Sequence, residues 1–315
     1  MAVAWYWWIV FGGFVAILFA FDLGMLGRYG RGSSVGFHSA LPAIAFRVGL
    51  AAIFNAGIYM GWVGGYETLK LQQAAGLEFL TAYLVEVVLS LDNMFVFALI
   101  FRHFRVRGSA QRRVLLWGVL GALVMRAILV LAGLQVLHFF QWATYLFGGI
   151  LIVAGARMLV WPSEHSFALL VERRARQFLP ISKDFHGSSF FIRKNDAILA
   201  TPLFVILLII EATDLVFAVD SIPAALGVTC DAFVLLTSNV FAILGLRAIY
   251  FALVDCVDRF RFLHLGLSAI LVFIGLKMVL SHTSLSISAA WSLAVILTLL
   301  SGSVFASLIL VTPKK

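Results

Sequence analysis

The sequence predicts an all-α polytopic membrane protein, and its composition and its apolar runs both lead to that class. Hydrophobic residues make up 63% of the 315 residues and charged residues only 12%, whereas about 25% of a typical soluble domain is charged. Several apolar runs reach the roughly 20 residues that a helix needs to cross a bilayer, and short polar turns separate them. Because these runs lack the alternating pattern of outer-membrane strands, the bundle is predicted to be helical.

About nine transmembrane helices are expected within a single membrane domain over residues 1–315. The predicted spans cover about 5–26, 41–63, 77–101, 112–137, 140–160, 199–222, 233–254, 262–281 and 288–311, each close to the length that a bilayer requires. The last of them belongs to a C-terminal helix within residues 282–315, and a cytoplasmic loop over 161–198 separates the fifth span from the sixth.

The distribution of Lys and Arg predicts the orientation of these spans. When loops are assigned alternately to the two faces, nearly all loop Lys and Arg fall on one face, and Lys70 alone falls on the other. Positive residues concentrate in cytoplasmic loops, so the chain is predicted to be N-out and C-in. The net charge of +8 then reflects basic loops beside anionic lipid. Membrane lipid is therefore an expected partner and nucleic acid is not.

Spans 3–5 and 6–8 are predicted to form an inverted-topology three-helix repeat, over residues 77–160 and 199–281. Residues 86–93 match 214–221 at an offset of about 128, and residues 150–158 match 270–278 at an offset of about 120. Each unit has three spans, an odd number, so the second unit must enter the membrane from the opposite side. Transporters of this construction hold their substrate near the membrane midplane, between the two units.

Five acidic residues lie inside the predicted spans, where each charge costs about 2.5–3.5 kcal/mol. They are Glu86, Asp92, Glu211, Asp214 and Asp220. On an ideal helix, Glu211 and Asp214 share a face and Asp220 lies opposite. All three acids of span 6 can therefore converge only if this helix bends or unwinds, and Pro223 weakens the backbone at that point.

These acids and two neighbouring polar residues indicate a site for a divalent metal ion. The predicted metal ligands are Glu86, Asp92, Asn93, Glu211, Asp214, Asp220 and Ser221. Carboxylate, amide and hydroxyl oxygens without His or Cys favour hard ions such as Mn²⁺, Mg²⁺ or Ca²⁺. Internal ion pairing is the alternative, because Arg126 and Arg247 also lie within spans, where they could pair with acids or line a gate. Asn239 is either a further ligand or a helix-packing residue.

Five motifs resemble those of the TerC family of integral membrane proteins, and within it those of the bacterial Alx-type members. They are Glu86-x5-Asp92-Asn93, Glu211-x2-Asp214-x5-Asp220-Ser221-Ile222-Pro223, Thr237-Ser238-Asn239, Gly245-Leu246-Arg247-Ala248 and Phe190-Phe191-x-Arg193-Lys194. The resemblance implies a multi-pass manganese exporter of the bacterial inner membrane, with the acids as the ion path and Mn²⁺ as the transported or bound ion.

Outward transport of Mn²⁺ by alternating access is therefore the expected function, and exchange for protons would fit because carboxylates that release metal can take up protons. A second interpretation is a membrane scaffold that binds Mn²⁺ and supplies it to exported enzymes without pumping. A third, an intramembrane hydrolase, would need a nucleophile or facing aspartates. No enzymatic activity is expected.

Overall fold

The computed structural model contains nine helices in the part of the chain that it describes. That part comprises residues 3–28, 37–106, 108–160, 180–182, 185–194, 197–253, 262–281 and 287–310. The helices are α1 (Trp5–Arg28), α2 (Phe37–Tyr59), α3 (Leu69–His103), α4 (Gly108–Phe139), α5 (Ala143–Val160), α6 (Pro202–Val228), α7 (Ala232–Leu253), α8 (Leu263–Leu280) and α9 (Ala289–Leu310). Each overlaps one predicted span, and the largest differences are the earlier start of α3 and the later end of α6.

Six of the described helices are long and apolar enough to cross a membrane: α2, α3, α4, α6, α8 and α9. The described apolar stretches of the other three, Trp5–Ala20, Ala143–Leu159 and Ala232–Leu246, are shorter. The predicted class, a helical integral membrane protein, is confirmed. Nine crossings and the N-out, C-in orientation stay predictions.

The two helices that carry the acids begin at clear N-terminal signals. The Thr68 hydroxyl accepts a hydrogen bond from the backbone N–H of Leu71 at 3.3 Å, which caps the start of α3. α6 begins with Pro202, whose fixed φ suits the first turn, where no N–H partner is needed. Glu86 and Asp214 lie near the middle of α3 and of α6, which is where the membrane interior is expected.

The two predicted three-helix units pack on each other reciprocally. α3 packs on α7, α6 packs on α4, and the pairs α3–α6, α4–α7 and α5–α8 are also in contact. Exchanging α3 with α6, α4 with α7 and α5 with α8 leaves this set of contacts unchanged, because α3–α7 becomes α6–α4 and the other three pairs map onto themselves. Two copies related by a two-fold axis would pack in this way, and the inverted repeat itself stays a prediction.

The expected break in span 6 is not observed, because α6 remains helical from Pro202 to Val228 and Pro223 lies inside it. A proline within a helix removes one backbone hydrogen bond, but Pro223 and the residues on either side of it are buried, and packing holds the segment in place. Asp220 therefore stays on the side of α6 opposite Glu211, and the three acids of this helix do not converge through an unwound segment.

The described parts of the predicted 161–198 loop include a β-hairpin, a feature that the sequence analysis did not anticipate. Strand β1 (Phe191–Lys194) pairs antiparallel with β2 (Ala197–Ala200), and Phe191 lies opposite Ala200. β2 leads directly to the start of α6, so the second unit opens with a strand and its helix begins at Pro202.

A buried apolar cluster, here called the hairpin-side cluster, fills the bundle between its centre and the hairpin. It includes Phe97, Phe101, Leu115, Ile206, Ile210, Leu246 and Tyr250, and Phe190 from the segment before α6 packs against it. The cluster combines the end of α3, the start of α4, the start of α6 and the end of α7. The centre of the bundle is therefore closed toward the hairpin by apolar side chains.

Glycines bring α5 and α8 into close contact along a surface here called the glycine seam. A Cβ atom added to Gly148 would lie 2.9 Å from the carbonyl oxygen of Gly275, and one added to Gly155 would lie 2.8 Å from that of Ser268. The Ser268 hydroxyl donates a hydrogen bond to the Gly155 carbonyl. Small residues at such positions allow two membrane helices to approach at backbone distance.

Candidate functional site

Three buried charged side chains from three helices meet at the centre of the bundle. Arg126 of α4 lies between Glu86 of α3 and Asp214 of α6, and the exposed fractions of these residues are 2%, 0% and 4%. The Arg126 Nη1 atom pairs with Glu86 Oε2, while Nε and Nη2 donate to the two carboxylate oxygens of Asp214 at 3.5 and 3.3 Å. All three guanidinium nitrogens are thus engaged by carboxylates.

A fourth residue completes this arrangement, here called the central network. Asn239 of α7 is also buried, and its Nδ2 atom donates to Glu86 Oε1 at 2.9 Å. The network therefore takes two residues from each predicted unit: Glu86 and Arg126 from the first, Asp214 and Asn239 from the second. Asn239, for which the sequence left packing and ligation open, is a direct partner of Glu86.

Charges buried this deeply are stable only when they are paired and hydrogen-bonded. Removing an ion from water costs several kcal/mol even after the protein relaxes, and good ion-pair geometry has to compensate for that cost. Arg126 supplies the compensating charge for Glu86 and Asp214. The internal ion pairing that the sequence left as an alternative is thus present for these two acids.

The other predicted ligands occupy different surroundings. Asn93 and Ser221 are buried, and the Ser221 hydroxyl has no hydrogen-bond partner among the described residues. Asp220 is partly exposed on α6. The side chains of Asp92 in α3 and of Arg247 in α7 lie outside what the structure describes, so their predicted roles stay predictions.

Glu211 borders a separate space from the central network. It lines a groove of about 590 Å³ between α4 and α6, together with Trp117, Gly121 and Leu207. The approach to α4 is close, since a Cβ atom on Gly121 would lie 2.1 Å from Glu211 Oε1. Glu211 and Asp214 both face α4, but Glu211 borders this groove, whereas Asp214 contacts Arg126.

Within the described ranges, no three His, Cys, Asp or Glu side chains come close enough together to hold a metal ion. The described members of the predicted ligand set are spread along α3 and α6, and Arg126 occupies the space between the two central carboxylates. What the arrangement can do chemically is hold one cation between Glu86 and Asp214, and here that cation is a guanidinium.

The structure adds Ser90, which the sequence analysis missed, to the surroundings of the central network. Ser90, Arg126 and Asp214 line a cavity of about 20 Å³, and its other walls are apolar. A space of this size holds about one water molecule. A signal for Ser90 existed in the sequence, because it follows Glu86 by four residues and therefore lies on the same face of the helix.

A second polar group that the sequence analysis did not identify lies at the opposite end of the bundle from the hairpin. The Thr229 hydroxyl donates to Glu78 Oε2 at 2.5 Å, and the Tyr66 hydroxyl donates to Asp231 Oδ2 at 3.1 Å. Burial, reinforced by Asp231, raises the pKa of Tyr66 and keeps its hydroxyl a protonated donor. These contacts tie the turn between α6 and α7 to α3 and to the segment before it.

Comparison with known proteins gives a consistent result over most of the chain. Residues 71–315 match the family model described as "Integral membrane protein TerC family". The chain is 43% identical over 306 residues to "Uncharacterized membrane protein STKORF319" of Myxococcus xanthus, covering 96% of this chain and 92% of the relative. It is 40% identical over 277 residues to "Putative membrane-bound redox modulator Alx" of Escherichia coli (strain K12), covering 86% of each. No solved structure matches the chain.

Proposed function

Because the chain belongs to the TerC family of integral membrane proteins, we propose that it transports a divalent cation through the central network and exports Mn²⁺ across the bacterial inner membrane. One observation carries the proposal. Two fully buried carboxylates, Glu86 and Asp214, come from the two predicted units and face a single cation at the centre of the bundle. Ionisable residues within membrane segments mark substrate or ion pathways, proton relays, voltage sensors or ligand counter-ions.

The chemistry of the surrounding groups supports a hard divalent ion. Carboxylate, amide and hydroxyl oxygens surround the centre, and hard cations such as Mn²⁺ and Mg²⁺ prefer such ligands. The choice of Mn²⁺ among these ions rests on the family resemblance of the acidic motifs. Proton exchange is part of the proposal, because a carboxylate that releases metal in a dry interior takes up a proton more readily than one in water.

The packing supports alternating access to this site. The hairpin-side cluster closes the centre on one side, and the Glu78 and Tyr66 contacts lie on the other. A transport cycle would open these two ends in turn while the central carboxylates keep the ion. The reciprocal packing of the two units provides a physical basis for two states of similar stability.

Cells that express the protein are expected to contain less Mn after a Mn²⁺ load than cells without it, and the Glu86→Gln and Asp214→Asn variants should lose this effect. Replacing one ionised ligand by an amide removes about 1.5–3 kcal/mol of charge-assisted interaction, which is about 10–100-fold in affinity. The measurement is cell Mn by mass spectrometry at matched membrane abundance. Glu67→Gln is the matched control, since Glu67 is an exposed carboxylate between α2 and α3.

An unchanged Mn content in both acidic variants, beside an active wild type, would remove the central network from the ion path. If the wild type itself has no effect on cell Mn, purified protein in proteoliposomes decides between the two functional interpretations. Mn²⁺ binding without Mn²⁺ flux would favour the scaffold that supplies metal to exported enzymes.

A further inference from the structure

We infer that Arg126 is an internal competitor of the transported ion: a metal ion that enters displaces its guanidinium from Glu86 and Asp214, and the ion takes the space beside Ser90. The inference rests on the proposed function, because it describes how the same carboxylates exchange one cation for another.

The contacts of Arg126 require displacement. Its Nη1 atom pairs with Glu86 and its Nε and Nη2 atoms with Asp214, so the guanidinium occupies the directions in which the two carboxylates face each other. A metal ion bound between both carboxylates would take the position that the guanidinium holds. Because the two cations also repel each other, binding of one weakens the contacts of the other.

Space for an incoming ion already exists next to the guanidinium. The cavity of about 20 Å³ is bordered by Arg126, Asp214 and Ser90. A bare divalent ion is smaller than a water molecule, so the cavity can hold it beside Asp214 and Ser90. Glu86 does not line the cavity, and the ion reaches it through the space that the guanidinium vacates. This cavity lies on the side of the hairpin-side cluster, since Phe97, Leu115 and Leu246 form part of its wall.

In the part of the chain that the structure describes, two oxygen atoms of this region are buried without a hydrogen bond, which is unusual for polar groups in a protein interior. Ser90 Oγ, in a residue only 2% exposed, and Asn239 Oδ1, in a residue 3% exposed, have no partner among the described residues. Both are neutral oxygens that a hard cation accepts as ligands. A metal beside Asp214 would satisfy the Ser90 hydroxyl, which the guanidinium leaves unpaired.

Competition of this kind gives a transporter moderate affinity. A cation tethered to the protein has a high effective concentration at the carboxylates, so a metal ion binds only by the difference between its own interactions and those of Arg126. After release, the guanidinium returns and the empty site stays charge-compensated. Conduction needs binding that is strong enough for entry and weak enough for exit.

Mn²⁺ binding to the purified full-length protein tests the inference, with affinity taken from the Mn²⁺ dependence of the Tm in detergent. Arg126→Gln keeps hydrogen-bond donors but removes the competing charge, and it is expected to bind Mn²⁺ about 10-fold tighter or more. Ser90→Ala is expected to bind Mn²⁺ about 10-fold more weakly, as for loss of one supporting oxygen, with an unchanged Tm in the absence of metal. Ser292→Ala is the control, because Ser292 is also buried and its hydroxyl has no partner among the described residues, but it lies on α9, away from this cavity.

If Arg126→Gln binds Mn²⁺ with unchanged or weaker affinity, the competition is overturned. The proposed function still stands in that case if Mn²⁺ raises the Tm of the wild type and Glu86→Gln abolishes this increase. A folded wild type with no Mn²⁺ response overturns both. If Arg126→Gln cannot be purified in folded form, the serine pair decides: Ser90→Ala with the same Mn²⁺ affinity as Ser292→Ala overturns the inference, and selective weakening supports it.

Discussion

Replacing Arg126 by Met is expected to lower the free energy of unfolding by about 3–5 kcal/mol, because it leaves two carboxylates buried without their cation. Met fills a similar volume, so the loss reports charge and hydrogen bonding rather than a cavity. The measurement is the Tm of the purified protein in metal-free detergent solution, together with the yield of folded protein. Arg157→Met is the control, since Arg157 is an exposed arginine on α5.

The same variant offers a rescue experiment. Adding Glu86→Gln and Asp214→Asn to Arg126→Met removes all three charges, and a buried neutral amide costs much less than a buried charge without its partner. The triple variant is therefore expected to regain most of the lost stability. A triple variant as unstable as Arg126→Met alone would show that the carboxylates are not what Arg126 stabilises.

Gly275→Val is expected to prevent close packing of α5 on α8 and to cause a large loss of folded protein. A Cβ atom at Gly275 would lie 2.7 Å from the Gly148 carbonyl oxygen and 3.0 Å from the Ile152 backbone nitrogen. Backbone atoms cannot move aside as the end of a side chain can. Overpacking typically costs roughly 1–3 kcal/mol of folding free energy, and we expect a loss of about 3 kcal/mol or more here. The measurement is the fraction of extracted protein that elutes as one species in size-exclusion chromatography.

Gly149→Val is the matched control for the glycine seam. It makes the same substitution in α5, next to Gly148, at a position where an added Cβ atom meets nothing within 4 Å. Both variants replace Gly by Val and so change backbone flexibility equally. The difference in folded protein between them therefore reports the contact between α5 and α8. Equal behaviour of Gly275→Val and Gly149→Val would contradict the close approach of α5 and α8.

The positions of the helices could be predicted from the sequence, because apolar runs of membrane length leave few alternatives in a lipid environment. Helix α3 begins before the predicted span at 77, and the residues ahead of that span include Lys70 and two glutamines. Hydropathy shows only where the apolar residues begin, whereas the helix itself begins at its N-cap, Thr68.

The central network could be predicted only in part. The unusual cost of buried charge identified Glu86, Asp214 and Arg126 as residues that need an explanation. Their pairing depends on how each helix is rotated about its axis, and helices that are apolar all round contain little local information about rotation. Glu211 and Asp214 both face α4, as their shared helix face predicts, but only Asp214 is paired with Arg126, whereas Glu211 lines the groove between α4 and α6.

The central network has a consequence for the membrane potential. Its two carboxylates and one guanidinium have a formal charge of −1, and uptake of a divalent ion without loss of a proton would change this to +1. Moving one elementary charge through the full potential is worth about 2.3 kcal/mol per 100 mV. If the charge of the site changes sign in this way, the membrane potential acts on both the metal-loaded and the empty step of transport. An electric current should then accompany turnover, unless protons move in exchange and balance the charge of the metal ion.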